Sequence, residues 1–188
     1  MERTPQVIGI AGWSGAGKTT LIARLIPALV RRGVSVSTVK HAHHSFDVDK
    51  PGKDSHTHRM AGATEVMVSS ANRWALMHEH RGAPEPTLDA LLARLSPVDL
   101  VIVEGFKFGG HAKLEIYRAA VGKPLLCADD PQVVAVVSDA PVPGIALPQI
   151  DIDDVEAVAA FIVARCGLVD PFRPEQGERE TASTMDED

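Results

Sequence analysis

The chain has 188 residues, of which 45% are hydrophobic, 23% charged and 4% aromatic, the balance of one globular domain long enough to bury a sizeable core. So few aromatics argue against a stacking platform for single-stranded nucleic acid, and a formal charge of −6 argues against general affinity for a phosphate backbone. No nucleic-acid partner is therefore expected.

Cys127 and Cys166 lack any paired metal-ligand spacing and read as buried thiols of a reducing compartment. The opening Met1-Glu-Arg-Thr-Pro is not a charged segment followed by a long apolar one, and no apolar run approaches a membrane span. These features predict a cytoplasmic protein without a membrane segment.

In chain order, the apolar run Val7–Ala11 predicts a buried strand that ends in a glycine-rich turn. Leu21, Leu25, Ile26 and Leu29 form one stripe of a helix from Thr19 to about Arg32, with a kink expected at Pro27 and a stop at Gly33. Val34–Val39 reads as the next strand, completing a β-loop-α-β unit of the kind that builds parallel sheets.

Lys40–Lys53 is polar and histidine-rich, a loop before a short helix at about Asp54–Ala61. Thr64–Ser70 and Trp74–Glu79 predict a hairpin, and Leu88–Leu95 a helix capped by Thr87. Leu100–Val103 is wholly apolar, as a central strand covered on both faces would be. Ala112–Tyr117 alternates like an edge strand; Val133–Val137 is another buried strand and Val155–Cys166 the final helix. From about Pro171 periodicity ends and residues 173–188 hold six acids and two arginines, so the division expected is a domain over 1–170 and a disordered acidic tail over 171–188.

Gly12-Trp-Ser-Gly-Ala-Gly-Lys18-Thr19 fills the P-loop template G-x-x-x-x-G-K-[ST] between a strand and a helix. Its glycines let backbone N–H groups point inward at phosphate oxygens, and the helix N-terminus adds partial positive charge. The cradle expected is Gly12, Trp13, Ser14, Gly15, Ala16, Gly17, Lys18, Thr19 and Thr20, with Lys18 reaching the terminal phosphates and the Thr19 hydroxyl ligating Mg²⁺.

Glu104 ends an apolar strand at the edge where such sheets bind ligands, so it is expected to hold Mg²⁺ through water or to orient an attacking water. The segment Lys40–Asp54 carries His41, His43, His44, Asp47, Asp49 and Asp54. Two readings stand there: a transition-metal site, or a mobile loop that brings Asp47, Asp49 or Asp54 near Mg²⁺, the hard cation preferring carboxylates. Asp139 ends another apolar strand and suits either the N1 and N2 edge of guanine or a turn cap.

Together these pieces resemble the molybdopterin-guanine dinucleotide biosynthesis protein B family, from about Val7 to Cys166. The resemblance is carried by residues 12–21, 25–29, Val-Lys-His-Ala-His-His (39–44) and Phe-Asp-Val-Asp-Lys-Pro-Gly-Lys-Asp-Ser (46–55). It continues in 58–63, Val-Glu-Gly-Phe-Lys (103–107) and Lys-Leu-Glu-Ile-Tyr-Arg (113–118). It implies a GTP- and Mg²⁺-binding, weakly hydrolysing homodimer that assists the enzyme joining GMP to molybdopterin. By match to the family motif, Asp47, Asp49 and Asp54 would line the nucleotide site. Lys107, Lys113 and Arg118 would form a basic surface for the anionic pterin phosphate or the partner enzyme.

The fold expected is a three-layer α/β P-loop NTPase with a mostly parallel central sheet and a β-hairpin extension. Three rival functions remain: a small-molecule kinase, which needs an arginine-bearing lid for which Arg73 and Arg81 are the candidates, a metallochaperone GTPase, and a regulator that binds nucleotide without chemistry.

Overall fold

The computed structural model describes residues 4–42, 46–106 and 109–169. The proposed tail, and with it Asp170, His43, His44 and Lys107, lies outside the described residues.

Six strands form one parallel sheet in the order β2-β5-β1-β6-β7-β8. They are β1 (Gln6–Ala11), β2 (Val36–Lys40), β5 (Leu100–Glu104), β6 (Lys113–Tyr117), β7 (Val133–Ser138) and β8 (Gln149–Asp151). β3 (Glu65–Ser69) and β4 (Trp74–His78) pair separately as the expected antiparallel hairpin. The helices are α1 (Lys18–Arg31), α2 (Asp54–Met60), α3 (Leu88–Leu92) and α4 (Val155–Arg165).

The helical stripe of α1 does what its spacing predicts: Leu21, Leu25, Ala28 and Leu29 are buried. The helix runs through Pro27, which is exposed, and closes with Val34 N–H on Leu29 O and Gly33 N–H on Val30 O. Against it lies α4 with Val158, Ala159, Ile162 and Val163, and the two helices cover Ile8, Ile10, Leu100, Ile102, Leu114, Ile116, Ala135 and Val137. Because strand side chains alternate, Gly9, Val101, Val103, Lys113, Glu115 and Val136 face the other way. These too are buried. The fold is a three-layer α/β architecture of the P-loop NTPase kind.

The expected edge strand is corrected by this topology. Ala112–Tyr117 supplies β6, which sits between β1 and β7. Its alternation of Lys113 and Glu115 mimics a solvated face, yet the two residues are 1% and 0% exposed. Their charges are compensated inside. Lys113 Nζ donates to Gly109 O at 2.7 Å and to Asp130 Oδ2 at 3.0 Å, while Glu115 accepts from the N–H groups of Leu126 (2.7 Å) and Cys127 (2.9 Å). The buried acid thus holds the segment after β6 onto the second face of the sheet.

Replacing Glu115 by Leu preserves approximate size but leaves the half-buried N–H groups of Leu126 and Cys127 without an acceptor. At about 1–3 kcal/mol for each unsatisfied donor, a loss of roughly 2–6 kcal/mol is expected in urea unfolding, with an unchanged m-value.

Candidate nucleotide site

The P-loop leaves β1 at Gly12, where φ is 142° and a Cβ would stand 2.5 Å from the Ile116 carbonyl oxygen of β6. Only glycine can make that turn against the neighbouring strand. Gly17, at φ 100°, then caps α1 without any side-chain hydrogen bond, and the first turn holds no acid. The helix therefore presents N–H groups and its positive end to the loop, the arrangement that receives an anion.

Lys18 Nζ donates to Gly12 O at 2.8 Å and Trp13 O at 3.0 Å, so its ammonium is held at the loop, while Thr19 and Thr20 are exposed in the first turn. Trp13 faces the segment after β6, donating from Nε1 to Pro124 O at 2.8 Å, with Lys123 Nζ 5.8 Å from its ring centroid. The loop is thereby anchored on its outer side as well as at β1.

β1 is the switch point of the sheet, with β5 on one side and β6 on the other, and ligands bind where such strands diverge at their carboxyl ends. Glu104 lies there, in register with Ile10 and Lys40. Its side chain is 14% exposed, and Lys40 Nζ stands 3.4 Å from Oε2. A cavity of about 480 Å³ joins these groups to the cradle: Gly12, Trp13, Lys18, Lys40, His41 and Glu104 all line it. The structure thus brings the P-loop and Glu104 to one site, as their positions on the strands predict.

Asp139 follows β7 and reaches the P-loop through a residue that sequence reasoning put elsewhere. Arg118 Nη1 donates to Asp139 Oδ2 at 3.0 Å, and its Nε donates to Ala16 O at 3.3 Å. Arg118 is half-buried against the cradle rather than part of a basic surface, and Lys113 is inside the sheet. Lys113 and Arg118 thus do not form the expected basic surface, and Lys107 lies outside the described residues. A cavity of about 350 Å³ beside Asp139 is lined also by Ser138, Gln149 and Asp151.

Asp47 and Asp49 are not brought to the cradle cavity. Arg59 of α2 holds both, through Nη2 to Asp47 Oδ1 at 2.9 Å and to Asp49 Oδ1 at 2.8 Å, and approaches Glu79 at 3.4 Å. Arg81 in turn donates to the carbonyls of Arg59 (2.7 Å) and Ala63 (2.9 Å). The aspartates line a separate cavity of about 250 Å³ against the hairpin. Asp54 opens α2 and is exposed. Among the described residues no group of three or more His, Cys, Asp or Glu is arranged to hold a metal ion. His41 instead lies 2.8 Å from Glu85.

The Arg59 hydrogen bond holds the Asp49 carboxyl below its ordinary pKa. A depressed folded value means that the stabilisation is complete above the unfolded pKa and is lost as the pH falls through the lower, folded one. Carboxyl-detected NMR titration should show Asp49 titrating below the ordinary range in the parent and returning to it in Arg59→Met.

Comparison with known proteins matches the features described above. The family model for molybdopterin guanine dinucleotide synthesis protein B matches residues 7–139. The molybdopterin-guanine dinucleotide biosynthesis adapter protein of Escherichia coli is 46% identical over 160 residues, 84% of this chain and 91% of that one. The protein of the same name from Haemophilus influenzae is 41% identical over 165 residues, covering 86% and 90%. A crystal structure of molybdopterin-guanine biosynthesis protein B superposes with a TM-score of 0.68 at 32% identity, over 85% of this chain and 99% of the other. The chain belongs to the molybdopterin-guanine dinucleotide synthesis protein B family.

Proposed function

We propose that this chain is a GTP-dependent adapter of molybdenum cofactor biosynthesis, assisting the enzyme that transfers GMP to molybdopterin. The observation that carries the nucleotide part is the complete P-loop facing Glu104 across one cavity at the switch point of the sheet. The adapter part rests on family membership and on the names of its relatives. The cradle fits a triphosphate: an uncapped helix N-terminus without first-turn acids, a lysine at the loop and exposed hydroxyls in the first turn.

In this reading the N–H groups of residues 12–20 surround the phosphates, and Lys18 moves from the Gly12 and Trp13 carbonyls to the terminal ones. Thr19 and Glu104, with Asp54, would hold Mg²⁺, which would supply positive charge to the terminal phosphates. Glu104 orients the attacking water for a slow hydrolysis. Asp139, steadied by Arg118, accepts from the N1 and N2 edge of guanine, which adenine does not offer.

A second copy completes the molecule as we read it. The β3–β4 hairpin is a two-stranded sheet, marginal by itself, and exposes Met67 (62%), Trp74 (62%) and Leu76 (40%). Homodimerisation through that face would cover it. No helix of the described residues is long and apolar enough to cross a membrane, in keeping with a cytoplasmic site of action. The rival kinase reading requires an arginine lid, but Arg81 is bonded to backbone carbonyls and Arg73 sits in the hairpin turn.

Calorimetry tests the reading. Lys18→Ala should weaken GTP by roughly 1.5–3 kcal/mol, the range of a hydrogen bond to a charged group, and GDP far less. Thr19→Ala should make binding insensitive to Mg²⁺. Unchanged GTP affinity in Lys18→Ala would remove the P-loop from the site.

Glu104→Gln is expected to retain GTP affinity while turnover falls roughly ten- to a thousandfold. Asp139→Ala should abolish the preference for GTP over ATP; a variant that still discriminates as the parent does would assign base reading elsewhere.

A further inference from the structure

The cradle cavity does not end at the phosphate loop. It continues along the sheet face opposite α1 and α4, reaching Gly9, His111 and Lys113. Gly9 is in register with Lys113 and precedes Gly12 by three residues, so this chamber extends roughly 10 Å back from the loop at about 3.3 Å per residue. It also opens toward the ends of β2 and β5, at Lys40–Ala42 and Val103–Phe106. The base, by the reading above, lies on the other side, toward β7 and Asp139.

The floor of the chamber is made by two glycines and an imidazole. A Cβ at Gly9 would stand 2.7 Å from both His111 Nε2 and Lys113 Cγ, and one at Gly109 would stand 2.6 Å from His111 Nδ1. Glycine at position 9 is not part of the P-loop motif; its lack of a side chain is what lets the ring lie against β1. His111 Nδ1 is buried and has no hydrogen-bond partner among the described residues, an uncommon state for a buried polar atom. Burial, with the Lys113 ammonium nearby, lowers the pKa of the ring and favours its neutral form, which has one donor and one acceptor. Lys113 itself is engaged by Gly109 O and Asp130, so the floor is not an anion site. One wall is aromatic: the His41 and Phe106 rings pack on each other, centroids 5.1 Å apart and tilted by 45°.

We propose that this chamber is a second ligand site, shaped for a flat, neutral heteroaromatic ring whose edge meets His111 and whose face lies against the His41–Phe106 ring pair. It deepens the adapter reading and depends on it only for placing the nucleotide base elsewhere. Two sources share this chemistry, a pterin and a second nucleobase.

The test uses the full chain with the cradle filled by Mg²⁺ and a non-hydrolysable GTP analogue. Fluorescence anisotropy of 6-hydroxymethylpterin and competition by guanosine are measured on the parent, His111→Leu, His111→Gln and Gly9→Ala. Binding of either ring is expected, at least tenfold weaker in His111→Leu and Gly9→Ala and partly restored in His111→Gln. The GTP-analogue affinity, read separately by calorimetry, should stay within twofold in every variant. Stronger binding by pterin than guanosine identifies a pterin, and the reverse a nucleobase. Absence of binding by both, or binding unaffected in His111→Leu and Gly9→Ala, overturns the proposal. Failure of the parent to bind the GTP analogue would instead strike the nucleotide reading, and pterin binding tested without the analogue still decides the chamber.

Discussion

Gly12 has to turn away from β1 while lying directly against β6, and this close approach organises the nucleotide end of the molecule. A side-chain atom there would meet the Ile116 carbonyl at 2.5 Å. With glycine in place, β6 stays paired to β1 up to the register of Ala11 and Glu115, and the loop folds over its end. Arg118, next after β6, is thereby delivered to the Ala16 carbonyl, and through it Asp139 is tied to the cradle. On the other side of β1, the register with β5 sets Glu104 beside Ile10. Strand pairing thus brings residues from four separate segments to the carboxyl end of the sheet.

The same central place of β6 explains its buried charges. Desolvating an ammonium and a carboxylate is costly, and neither remains in a core without compensating partners. Lys113 and Glu115 find them in the segments that cross the second face, at Gly109, Asp130, Leu126 and Cys127. That cover also supplies Pro124, the acceptor for Trp13. Core charges and P-loop are therefore fastened to the same covering segment. The opposite face, under α1 and α4, is apolar and needs no such device.

The elements with strong local signals were legible in the amino-acid sequence: the P-loop, the α1 stripe, the apolar β5 with Glu104 at its end, and the hairpin. What escaped reading depends on partners distant along the chain. The alternation of Lys113 and Glu115 is the same for a solvated edge and for a buried strand with internal counter-charges; Asp130, 17 residues on, decides between them. The aspartates at 47 and 49 have carboxylates suited to Mg²⁺, but Arg59, 10 residues beyond Asp49, is close enough in the fold to claim both. Arg118 read as a surface cation because its partners, Ala16 and Asp139, are joined to it only by strand order. β8, three residues long, carries too short a pattern to recognise.

Whether the nucleotide held by this P-loop drives an adapter function is measured most directly by reconstitution. A molybdoenzyme requiring the guanine dinucleotide cofactor would be assembled from its apo-form, molybdopterin, the GMP-transferring enzyme, GTP and Mg²⁺, with and without this chain. A higher yield of active enzyme is expected with the parent chain and no gain with Lys18→Ala at equal folded concentration. Equal stimulation by the parent and Lys18→Ala would separate the adapter function from the nucleotide.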